Sequence, residues 1–130
     1  MTIPTLETAS PTVVRDAARD FADALMDTPE YKEFHSASDR MGKDPLAQAA
    51  IQAFQNKQRE MQMMAQLNSV APEDQSELER LHQAMMAQPA VVTYFMALDS
   101  FTKLCQAAAD GIYEYTKLNI ASACGGGCCG

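Results

Sequence analysis

The chain has 130 residues, 17 of them acidic and 10 basic, for a net charge of -7, and it contains no Trp. That length makes one domain, able to bury roughly two-thirds of its unfolded surface. The charge disfavours phosphate-driven binding of nucleic acid and suits protein partners. Residues 1–10 lack the basic start and apolar run of a signal peptide, and no stretch is long or apolar enough for a membrane span, so a cytoplasmic protein is expected.

Proline divides the sequence into helices. Ser10-Pro11, Thr28-Pro29, Asp44-Pro45, Ala71-Pro72 and Gln88-Pro89 each precede a helix-favouring run. Proline suits the first helical position, where its missing N–H costs nothing, and a Ser, Thr or Asp before it can cap the helix. The spacing predicts helices over 11–27, 29–41, 45–68, 72–87 and 89–119.

In the first, Val14, Ala17, Ala18, Phe21 and Leu25 share a face; in the second, Tyr31, Phe34, Ser38 and Met41 do. The third repeats Ala47, Ile51, Phe54, Met61 and Ala65, interrupted by Gln58, and the fourth carries Leu78, Leu81 and Met85. The last runs through Val91, Phe95, Leu98, Cys105, Ala109 and Ile112. All are three-and-four spacings without strict alternation, so the expected fold class is all-α with five helices.

At ~1.5 Å per residue the third helix spans about 36 Å, and the short link after it predicts a long antiparallel hairpin with the fourth. Charged and amide side chains flank both arms, Lys57, Arg59 and Glu60 on one and Glu73, Asp74, Glu77 and Arg80 on the other. The apolar seam between them is too narrow for a core, so the hairpin is expected to project or to pack in an oligomer.

After the helices come Cys124, three glycines, Cys128, Cys129 and a last glycine. Three soft thiolates on a flexible glycine segment suit a thiophilic metal or an iron–sulfur cluster. Bridging such near neighbours would close only tiny loops, which favours a reduced setting. The C-x2-C pair of a zinc ribbon is absent. A cluster needs four thiolates as a rule, and if the last helix runs to Asn119, Cys124 falls short of Cys105 by reach: about 17 Å of extended chain against about 21 Å of helix. Cys128 or Cys129 would reach it under strain; a second subunit is the better source of a fourth ligand. Cys105 lies in an apolar stripe and is expected in the core.

The runs EYKEFHSASDRMGKDPLAQAAIQAFQNKQREMQ and QPAVVTYFMALDSFTKLCQAAADGI, with Pro72 opening the returning arm, resemble the YlbF/YmcA-type regulators of Gram-positive bacteria over about residues 12–120. The resemblance implies a small, non-enzymatic helical regulator or adaptor that forms homo- or hetero-oligomers. It further implies partners of the YaaT and YmcA type, a bound 4Fe–4S iron–sulfur cluster, and modulation of the endoribonuclease RNase Y and hence of RNA processing, competence, biofilm formation and sporulation. Cys124, Cys128 and Cys129 are the positions onto which cluster or metal ligation carries.

The expected layout is thus an N-terminal segment 1–10, a YlbF-like helical domain 11–119 and a Cys/Gly-rich segment 120–130. A metal or cluster carrier using the thiols is the alternative function; a plain interaction protein with an inert terminus is a third. His35 and His82 have no ligand-spaced partner and read as surface residues. Met61, Met63, Met64, Met85 and Met86 suit either an adaptable binding surface or hairpin packing. The acids Glu73, Asp74, Glu77 and Glu79 read as a solvated helix start. No phosphate loop, carboxylate pair or nucleophile–base set is present, so no enzyme is expected.

Overall fold

A computed structural model describes residues 8–120. Within them the chain forms five helices, α1 (Pro11–Met26), α2 (Pro29–Lys43), α3 (Pro45–Gln66), α4 (Pro72–Met86) and α5 (Pro89–Thr116), and no strand. The all-α, five-helix expectation holds, and every helix starts at the proline that marked it.

The caps explain the starts. The Ser10 hydroxyl accepts from the Val13 N–H at 3.3 Å and Thr28 Oγ1 from the Tyr31 N–H at 3.2 Å. The Asp44 carboxylate accepts from both Leu46 and Ala47, at 3.0 and 3.1 Å. Ala71 has no side chain to offer; there the Asp74 carboxylate bonds back to the Ala71 N–H at 3.1 Å. The ends depart from the sequence reading by one to three residues. α3 stops at Gln66 because Asn68 turns left-handed (φ 53°) and Ser69 returns its N–H to the Met64 carbonyl at 2.9 Å. α5 stops at Thr116, where Lys117 does the same (φ 57°).

α2 and α5 pack antiparallel. Phe34 stacks on Phe101 with ring centroids 5.4 Å apart and tilts against Tyr94 at 5.5 Å, while Tyr31 meets Phe101 edge-on at 5.8 Å. Such ring pairs contribute about 1 kcal/mol each beyond area burial. α3 and α4 form the expected antiparallel hairpin, with Phe54 against His82 at 5.5 Å. At the first turn of α4 it is tied by Lys57 Nζ donating to the Asp74 carboxylate at 3.0 Å.

The α2–α5 pair and the α3–α4 hairpin join at their bases. Ala47, Met85 and Val91 are buried there, with Met41, Ala50, Ile51, Phe54, Met86 and Ala90 packed around them. Ala37 and Ala97 are the other buried apolar residues among those described. Only Met85 and Val91 of this set are larger than alanine, so the core is a small junction from which the arms diverge. α1 touches the rest of the fold through α2 and buries no residue.

Candidate functional site

Cys124, Cys128 and Cys129 lie outside the described residues. Cys105 is half-buried, not in the core; its flank of α5 runs beyond the short α2 that covers the earlier turns. α5 ends at Thr116, so about 17 Å of helix separates Cys105 from the helix end. Among the described residues no group of three or more His, Cys, Asp or Glu side chains is placed to hold a metal.

The surface that stands out is apolar and uncovered. On α1, Val14 is 60% exposed and Phe21 49%, and Val13 and Met26 are exposed with them. Ala17 and Ala18 lie between, also exposed. The sequence grouped this stripe correctly but gave no sign that nothing would cover it. On α5, Met96 is 68% exposed and Phe95, expected on the inner face, is exposed as well. The inner face instead follows Val91, Tyr94, Ala97, Leu98 and Phe101.

Two concavities flank α5. Between the α2–α5 pair and the α3–α4 hairpin, Met41, Ile51, Phe54, Val91, Tyr94 and Leu98 help line a cleft of about 350 Å³. On the other side, a groove of about 880 Å³ runs between α2 and α5, with Lys32, Ser36 and Arg40 on one wall and Met96, Ala97 and Asp99 on the other.

The charged hairpin also departs from expectation. Lys57 and Asp74, read as solvated flanks, have side chains only 12% and 19% exposed. The hydrogen bond from Lys57 holds the Asp74 carboxyl below its usual range, helped by the Ala71 N–H; the same bond to Asp74 raises Lys57. Glu77 is lowered by its bonds from Arg80, 2.6 Å at the shorter contact. His35 and His82 are exposed, as expected. The methionines do not form one cluster: Met85 and Met86 belong to the basal junction, whereas Met61, Met63 and Met64 lie towards the tip. No helix among the described residues is long and apolar enough to cross a membrane.

A helical hairpin and an antiparallel helix pair on a small junction, with an uncovered amphipathic helix and no metal-binding group among the described residues, define a small all-α protein whose distinctive surface is apolar and helical. The chain belongs to the Com_YlbF family, described as control of competence regulator ComK, YlbF/YmcA, whose model matches residues 14–114. It is similar to a UPF0342 protein of Symbiobacterium thermophilum, 29% identical over 110 residues covering 78% of this chain and 98% of the relative. A UPF0342 protein of Caldicellulosiruptor saccharolyticus is 31% identical over 98 residues, covering 75% and 79%. No solved structure matches the chain.

Proposed function

We propose that this protein is a regulatory adaptor without catalytic activity of its own, working in the cytoplasm by assembling with other proteins through its helical surfaces. The observation that carries the reading is the uncovered apolar face of α1, since a soluble chain gains by covering such a stripe. Membership of a family described by control of a competence regulator supports a regulatory role. The proposed partners are related helical proteins of the YaaT and YmcA type, and the proposed target is RNA processing by an RNase Y-like endoribonuclease. The net charge of -7 favours acting through proteins over contacting RNA directly.

Cys124, Cys128 and Cys129 are proposed ligands for an iron–sulfur cluster, or failing that another thiophilic metal, completed by a thiolate from a partner or from Cys105. Their thiolate chemistry supports this part of the reading. If the thiols load and release their cargo without a stable partner complex, the protein is a carrier instead.

Anaerobic co-expression with YaaT- and YmcA-like proteins from the same organism, followed by affinity purification, is the test. A stoichiometric complex that loses its partners on Phe21→Asp supports the adaptor. Absence of any complex overturns it. Iron and sulfide retained by the wild type and lost from the triple Cys→Ser variant would establish the thiols as ligands, while a complex equally metal-free in both would remove them from the proposal.

A further inference from the structure

The cleft between the α2–α5 pair and the α3–α4 hairpin is walled by two helix faces. On α3, Ile51, Gln55 and Gln58 follow one another at four- and three-residue spacing, and on α5 Val91, Tyr94, Phe95 and Leu98 share the facing side. Met41 of α2 and Met85 of α4 complete the lining, so four of the five helices enclose the ~350 Å³. The floor is the junction itself, with Val91 0% and Met85 7% exposed. A cleft of this volume lies in the range that holds a small organic molecule.

Its chemistry is narrower than its size. Charged residues make up 21% of the chain, yet none lines the cleft. An ionic group taken into it would lose its hydration with no counter-charge in exchange, so the ligand that fits is uncharged. The larger groove between α2 and α5 differs: its Lys32 and Asp99 are already paired, with Asp27 and Lys103.

Three aromatic rings, those of Phe54, Tyr94 and Phe95, line the cleft beside the thioethers of Met41 and Met85. Phe95 is 42% exposed and so has ring surface left to cover. Rings and sulfur atoms together favour a planar π system over an aliphatic chain. Gln55 and Gln58 are exposed at the mouth. Among the described residues neither their carboxamides nor the Tyr94 hydroxyl takes part in a hydrogen bond. Each of these groups both donates and accepts, which gives an entering ring a polar attachment.

We propose that this cleft binds an uncharged aromatic compound carrying a hydrogen-bonding group, its ring against Phe54, Tyr94 and Phe95 and its polar group on Gln55 or Gln58. The site uses no residue of α1, so it stands independently of assembly through that helix.

The test uses the full chain with carbon-13 in its methionine methyl groups and indole as the probe. Indole-3-acetate and tryptamine serve as the anionic and cationic counterparts, and cyclohexanol as the aliphatic one. Saturable ring-current shifts are expected at Met41 and Met85, with none at Met26 and Met63, which lie on other surfaces. Indole should bind about tenfold or more tightly than each of the other three. Gln58→Ala and Phe95→Ala, both at exposed positions, should each weaken it about fivefold, with an unchanged Met63 signal showing that the fold is intact. No shift at Met41 and Met85 up to the solubility of indole overturns the proposal. Shifts of equal size at Met26 and Met63 do so too, as does equal binding of the charged or aliphatic compounds. Phe21→Asp should leave the indole shifts in place, so loss of partner proteins and loss of this site are read separately.

Discussion

Asp74 does two things at once, capping α4 through the Ala71 N–H and tying α4 to α3 through Lys57. Its folded pKa is lowered, so its contribution is complete above the ordinary carboxylate value of 3.8 and is lost as pH falls through the folded value; Glu77 follows the same sign from its value of 4.5. Lys57 is raised, so its contribution is complete below 10.5 and is lost as pH rises through the folded value. Melting curves should therefore fall at both extremes, below pH ~4 and above pH ~10.5. Asp74→Asn should melt lower at neutral pH and lose less on acidification than the wild type. At the junction, Val91 is 0% exposed, and Val91→Ala should cost about 2 kcal/mol. Val92→Ala next to it, on the exposed side, should change stability by less than about 0.5 kcal/mol in urea unfolding.

At the scale of the element, the helix starts were legible and their coverage was not. Proline at the first helical position is a local constraint, so Pro11, Pro29, Pro45, Pro72 and Pro89 each named a start without reference to the fold. Asp44→Ala should show how much the cap beside such a proline contributes: about 1 kcal/mol, or a Tm lower by roughly 5 °C. Periodicity likewise found the stripe on α1 but could not say what lies against it, because covering a stripe is a property of the whole fold. The same limit hid Lys57. Its charge assigned it to the flank, yet its stem and its bond to Asp74 sit between the arms. The C-terminal thiols stood out by composition, and their ligation is a question of chemistry that helical periodicity does not address. Removing residues 1–27 should leave the melting of the other four helices nearly unchanged by circular dichroism, since α1 buries no residue, while abolishing the proposed assembly with partner proteins.

For the molecule as a whole, stability is concentrated where the α2–α5 pair and the α3–α4 hairpin meet. Amide hydrogen exchange should be slowest around Ala47, Met85 and Val91 and fastest in α1 and in the last turns of α5, where little packs on the backbone. The order of the helices also bears on how the chain is made. The α3–α4 hairpin closes across five linking residues, whereas the Phe34–Phe101 stack joins positions more than sixty apart. During synthesis the first hairpin can close as soon as α4 leaves the ribosome. The aromatic face of α2 must wait for α5, and at about 5–20 residues per second that interval lasts seconds. For that time Tyr31 and Phe34 are open to any passing apolar surface.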